Sequence, residues 1–188
     1  MGDLLATQGR LPEAIALQQR ATQFNPLVPV DWNALGSPLI SAGRVPEARA
    51  AIVRALAINQ NLSISHVNLA FVELHDGRLD QVLAETRQIQ DRDWQLLATA
   101  IVQYSLPQSQ ESQQALDEMI KTKASEMAYQ ISEIYAWRGK KYEAFAWLDR
   151  AFAQHDGGLT TLKLDYLVAS LRTDPRYKAL LHKMNLPE

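Results

Sequence analysis

A chain of 188 residues, 47% hydrophobic and 21% charged with a formal net charge of -2, can bury a substantial core but exerts no broad electrostatic pull on nucleic acid or anionic membranes. It contains no cysteine, which excludes a disulfide framework, a thiolate metal site and a thiol nucleophile. No apolar run reaches the roughly 18 residues of a membrane span, and the start Met1-Gly2-Asp3-Leu4-Leu5-Ala6 lacks the charged-then-apolar order of a signal peptide. Ala6 also stands where a myristoylation motif needs Ser or Thr. This composition fits the cytoplasm, or the periplasm if a parent protein spans a membrane.

In chain order, four turns look alike: Gly9-Arg10-Leu11-Pro12-Glu13-Ala14, Gly43-Arg44-Val45-Pro46-Glu47-Ala48, Gly77-Arg78-Leu79-Asp80-Gln81-Val82 and Gly139-Lys140-Lys141-Tyr142-Glu143-Ala144. Gly9, Gly43 and Gly77 are 34 residues apart, and 62 residues separate Gly77 from Gly139. A period of about 34 is that of a stacked helix–turn–helix unit. Glycine ends the first helix in the left-handed conformation without a Cβ penalty. Pro12 and Pro46 suit the first position of the second helix, and Glu13, Glu47 and Glu143 lie where the helix dipole favours an anion.

The predicted units follow from that register. Residues 1–28 form a partial unit; aligning Gly9 with Gly43 puts Met1 and Gly2 mid-helix, as in a piece of a longer protein. Unit 29–62 has Trp32, Leu35, Gly36 and Leu39 on its first helix and Ala48, Ile52 and Ala55 on its second. Small residues at Gly36 and Ala48 predict close approach of the two. Unit 63–90 keeps Leu69, Ala70 and Gly77 but has Val82 for the usual alanine and a short second helix, so a bend is expected there. Unit 91–124 keeps Trp94, Leu97 and Ala98 but has Ser105 for the turn glycine and the irregular link Leu106-Pro107-Gln108-Ser109. Unit 125–158 carries Ile131, Tyr135, Gly139, Ala144, Leu148 and Ala151. After Asp156-Gly157-Gly158, residues 159–188 are predicted to form C-terminal capping helices, with Asp174 capping a last helix from Pro175 to about Met184.

Residues 32–55 resemble the tetratricopeptide repeat consensus Trp-x-x-Leu-Gly followed by Ala-x-x-x-(Phe)-x-x-Ala. The resemblance implies an all-α fold, a right-handed α-solenoid of antiparallel helix hairpins with a C-terminal helical cap. A second resemblance lies in Ala144-Phe145-Ala146-Trp147-Leu148-Asp149-Arg150-Ala151, Leu162-Lys163-Leu164-Asp165 and Leu171-Arg172-Thr173-Asp174-Pro175-Arg176-Tyr177-Lys178-Ala179-Leu180-Leu181. These residues look like the end of tetratricopeptide regions in bacterial signalling proteins: adenylate cyclases, winged-helix regulators and Ser/Thr kinases. Tyr166 departs from those tails, which often carry proline after the aspartate. The resemblance implies a protein-interaction scaffold within such a parent, or alternatively a self-association module that dimerises it.

The chemistry-bearing residues read as structural. His66, His75, His155 and His182 form no His-x-x-x-His or Glu-x-x-His pair, so three converging metal ligands are not predicted. Glu111, Asp117 and Glu118 fit a solvated helix face, and no phosphate loop is present. No catalytic residue, cofactor or metal is therefore expected; a dense cluster of buried titratable groups would reopen the enzyme reading. Trp32 and Trp94 occupy the consensus packing position, and Trp147 is expected between a second helix and the cap.

In tetratricopeptide proteins the first helices line the concave surface. Carrying that register across puts Asn33, Ser37, Ile40 and Ser41, then Val67, Phe71, Leu74 and His75, in the groove. Gln95, Thr99, Val102, Gln103, Tyr129, Glu133 and Trp137 follow. These positions hold no Lys or Arg, which argues against the clamp that repeats of this family use on acidic chaperone tails. An apolar or mildly basic protein segment fits better, held by a few aromatic anchors. The expected partner is a protein or peptide, with a homo-oligomer as the alternative, and no nucleic acid or membrane contact.

Overall fold

The computed structural model describes Gln8 and the ranges 10–106 and 109–187; the expectations for Met1, Gly2, Gly9 and Pro107 fall outside these residues. Among the described residues a leading helix α1 (Leu11–Phe24) is followed by four hairpins: α2 (Pro29–Ser41) with α3 (Val45–Ile58), α4 (Ser63–His75) with α5 (Leu79–Gln88), α6 (Arg92–Val102) with α7 (Ser109–Lys123), and α8 (Ala128–Trp137) with α9 (Lys141–Ala153). A last helix α10 (Pro175–Lys183) follows a non-helical stretch, and the described residues contain no strand.

The hairpin turns repeat the same closure. Gly43, Gly77 and Gly139 have φ of +72°, +71° and +71°. In each, the next residue's N–H reaches back to the helix: Arg44 to Leu39 O, Arg78 to Glu73 O and Lys140 to Tyr135 O, all at 2.9 Å. This is the Schellman closure that satisfies the orphan carbonyls of a helix end. Ser105 has no such freedom, and there α6 runs on into a 3-10 turn, Gln103–Ser105. At the end of α9 His155 takes the left-handed position (φ 55°), at the usual cost of a side chain there.

The proline register is one residue later than predicted: α1 and α3 start at Leu11 and Val45, with Pro12 and Pro46 second. The preceding arginine supplies part of the reason. Arg44 Nε donates to Glu47 Oε1 at 2.7 Å, and Arg10 makes the same pair with Glu13. These pairs hold the glutamates over the positive helix end, and Arg44 pulls the Glu47 carboxyl below its ordinary range.

Curvature follows from which helices touch. Each first helix packs on its own second helix and also on the first helix of the next hairpin, α2 on α4, α4 on α6 and α6 on α8, whereas successive second helices make no comparably extensive contact. The first helices therefore form a continuous inner layer and the second helices fan outward, which is an α-solenoid. Small residues set the spacing inside a hairpin. A Cβ on Gly36 would lie 2.8 Å from Ile52 Cγ1, and Ile52 is fully buried.

Residues 157–171 form two 3-10 turns, Gly157–Thr161 and Ala169–Leu171, and no α-helix. Their apolar positions, Leu159, Leu162, Leu164, Leu167, Val168 and Leu171, fit neither a helical nor a strand period, yet all six are buried. Leu159, Leu162, Val168 and Leu171 pack with Phe145, Leu148 and Ala151 of α9 and with Tyr177, Leu180 and Leu181 of α10. Leu167 points elsewhere. It joins the central core built from Val67, Phe71, Leu97, Ile101, Ile131 and Ile134. Asp174 caps α10, its side chain accepting from Arg176 N at 3.0 Å.

Candidate binding groove

The inner layer of first helices and the stretch 158–167 enclose a cavity of about 210 Å3. Ser37 comes from α2, Ile64, Val67, Asn68 and Phe71 from α4, Trp94 and Leu97 from α6, and Gln130 and Glu133 from α8; Gly158, Thr161, Asp165, Tyr166 and Leu167 close the other side. The wall is mostly apolar and aromatic, with several polar groups among them, which is the usual make-up of a recognition site.

The C-terminal stretch is tied to this face at both ends of the solenoid. Ser41 Oγ on α2 donates to the Leu164 carbonyl. At the far end the Tyr129 hydroxyl donates to Asp165 Oδ2 at 2.8 Å, and Ser170 Oγ donates to the Ala136 carbonyl at 3.4 Å. Lys163 Nζ donates to the Gln8 and Pro187 carbonyls at 3.3 and 2.6 Å, linking the first described residue to the last. Gly158 lies so close to Tyr129 that a Cβ there would meet its ring at 2.6 Å.

A group of buried titratable side chains sits where the stretch meets α8. Tyr129 is fully buried, Glu133 is 9% exposed and Asp165 is 6% exposed. Asp165 is well supplied with donors: besides Tyr129, the Leu167 N–H donates to its Oδ1 at 2.8 Å. Burial first, then the facing Asp165 carboxylate, pushes the Glu133 carboxyl well above the ordinary carboxylate range. Burial likewise raises the Tyr129 and Tyr166 hydroxyls well above the usual phenol value. This is the kind of cluster that reopens the enzyme reading; its Tyr129–Asp165 hydrogen bond also ties the C-terminal stretch to α8.

The predicted groove residues are distributed as follows. Ser37, Phe71 and Glu133 line the cavity, with Tyr129 buried behind it. Asn33 stands one step away, its Oδ1 accepting from Ser65 Oγ at 2.9 Å and from Asn68 Nδ2 at 3.1 Å. Ile40 packs between the two N-terminal core clusters and Leu74 against the central one. His75 is exposed beside Asp76, and Thr99 and Gln103 are half-buried away from the cavity. Trp137 is half-buried against the central core with Nε1 donating to Ser105 Oγ at 3.0 Å. Sequence reasoning missed Trp94 and Gln130, and above all Asp165, Tyr166 and Leu167, which come from the segment read as a cap. The signal available for them was the aperiodic spacing of leucines after Gly157-Gly158.

Other conspicuous residues are structural. The His66 ring hydrogen-bonds Glu85 Oε2 at 2.7 Å and the Gln60 carbonyl at 2.8 Å. Trp32 Nε1 donates to the Pro26 carbonyl at 2.9 Å, and Trp147 lies between the central and C-terminal cores under the Arg150 guanidinium. Among the described residues no helix is long and apolar enough to cross a membrane.

No family model and no curated protein matches the chain. Among solved structures it is similar to TTC0263, a thermophilic TPR protein of Thermus thermophilus, at 20% identity and a TM-score of 0.65, covering 96% of this chain and 95% of that one. It also aligns with YrrB, a TPR protein described as having an unusual peptide-binding site, at 13% identity and a TM-score of 0.49 over 90% of this chain and 98% of that one. The likeness to the Thermus protein over nearly the whole of both chains gives this molecule the fold of the tetratricopeptide-repeat proteins.

Proposed function

We propose that the chain is a protein-interaction scaffold that receives a polypeptide segment of a partner on the concave face of its first helices. The observation that carries this reading is that the same face already seats a non-helical stretch of polypeptide, 158–167, through apolar insertion and hydrogen bonds to side chains of α2 and α8. Aromatic side chains on the first helices, Phe71 and Trp94, supply the anchors from which such interfaces draw their affinity. A bacterial multidomain signalling protein is the parent that the resemblance of residues 144–181 supports.

The test uses a random peptide library displayed on phage and panned against the immobilised chain. Selected peptides should bind in the micromolar range, on the order of -8 kcal/mol, and compete with one another. Phe71→Ala should weaken them at least tenfold with helicity unchanged, because it removes an aromatic wall of the cavity. Trp137→Ala, away from the cavity, should change affinity by less than about threefold. Peptides indifferent to Phe71→Ala in calorimetric titration would place binding elsewhere on the molecule.

A further inference from the structure

The concave face holds one buried group that its present occupant serves badly. Glu133 lines the cavity with no basic side chain opposite it, and the cavity wall contains no Lys, Arg or His. What faces it instead is the Asp165 carboxylate of the C-terminal stretch, with Asp156 also contributing repulsion. Burial and the facing Asp165 carboxylate disfavour the ionised form of Glu133 while the stretch is docked. Tyr166 adds a second unmet requirement, since its hydroxyl is buried without a hydrogen-bond partner. Glu133 has no cation opposite it, and the Tyr166 hydroxyl of the stretch has no partner at all. The rest of the seat is well made: Leu167 fills the central core, and Ser41 and Tyr129 grip the chain on either side.

We propose that the stretch 158–171 is a displaceable occupant of the groove, and that the partner segment that displaces it carries leucine-type anchors and a Lys or Arg at the place of Asp165. The proposal rests on the reading of the concave face as a docking surface and names the chemistry of what docks. A basic side chain there converts the carboxyl–carboxyl opposition into an ion pair with Glu133. The Tyr129 hydroxyl, which now donates to a carboxylate, can accept from an ammonium instead. The tethered stretch competes at a high effective concentration, in the millimolar range for a short linker, so a partner must bind better than the stretch does itself. The Glu133–Asp165 opposition is what makes that possible.

The experiment titrates the full chain with two synthetic peptides of residues 157–172, one with the natural sequence and one with Asp165→Lys, followed by fluorescence anisotropy. The same titrations are made on chains carrying Tyr129→Phe or Leu167→Ala, which loosen the resident stretch to different extents, and on Glu133→Gln. The lysine peptide should bind at least tenfold more tightly than the natural one, and both should gain affinity in the loosened chains. In Glu133→Gln the preference should shrink to below about threefold. Equal affinities, or a preference that survives Glu133→Gln, would overturn the proposal while leaving concave docking in place. Binding of neither peptide to either loosened chain at about 1 mM would remove the docking reading itself.

Discussion

The hairpins and the C-terminal stretch are held by different physics. In the hairpins, three of the four turns close on their own backbone through Gly43, Gly77 or Gly139, and the α2–α3 pair is brought together by small residues such as Gly36 and Ala48. Every hairpin thus carries most of its instructions within about 34 residues. The stretch 157–171 has only 3-10 turns of its own. Beyond short local hydrogen bonds, its anchoring and burial come from α2, α8, the flanking α9 and α10, and the central core. A competitor of the proposed kind must therefore supply apolar side chains in place of Leu159, Leu162, Leu167, Val168 and Leu171.

The largest expected effect probes that separation directly. Leu167→Ala leaves a hole in the central core and should cost about 2–5 kcal/mol. Hydrogen exchange should show the loss concentrated in 157–171 and on the facing side of α8, with α2 and α3 still protected. A uniform loss of protection along the whole chain would mean that stretch and hairpins form one cooperative unit, and the contrast would fail. Next in size is Gly36→Leu, which puts a side chain where a Cβ alone already meets Ile52. It should cost roughly 1–3 kcal/mol, lowering Tm by about 2–4 °C per kcal/mol, with the 157–171 contacts to α8 and α9 intact. An unchanged melting temperature would contradict the close α2–α3 packing.

The smallest effect is one of pH. Glu133 is held protonated by burial and by Asp165, so its folded-state pKa lies above the unfolded one. A raised pKa contributes stability that is complete below the ordinary carboxylate range and is lost as pH rises toward the folded value. Besides Asp165, the groups facing it are Asp156 and the raised Tyr129 hydroxyl, with the Arg172 guanidinium next to them donating to the Asp165 carbonyl. The wild-type chain should therefore lose stability as pH rises above the ordinary carboxylate range, by at most about 1.4 kcal/mol per pH unit where the group titrates. Glu133→Gln should flatten that slope. Parallel denaturant midpoints for the two proteins above this range would show that the two carboxyl groups do not oppose each other.

Much of this architecture is legible in the sequence. The glycine turns, the Arg–Glu pairs after them and the Asp174-Pro175 start of α10 are local signals with local causes, and register alone carries Ser37, Phe71 and Glu133 to the inner layer. The 3-10 ending of α6 follows from Ser105 standing where the other hairpins have glycine. What the sequence does not convey is the fate of Leu164, Asp165 and Leu167. Their apolar spacing has no single period, and their partners on α2 and α8 lie up to 123 residues away. Register presents Tyr129 and Glu133 as groove residues open to a partner, whereas the chain itself already covers them. Burial of this kind is set by tertiary geometry, which a repeat pattern does not encode.

The Ser41 contact to the Leu164 carbonyl has a mechanical consequence. An open solenoid behaves as a soft spring, because each hairpin can tilt slightly on the next and the small angles add up along the array. Here the C-terminal stretch runs from the first complete hairpin to the last like a chord strung across a bow, and so fixes the radius of the arc. Cutting that chord by displacement would let the arms spread, so that an event in the middle of the molecule becomes a change of distance between its two ends.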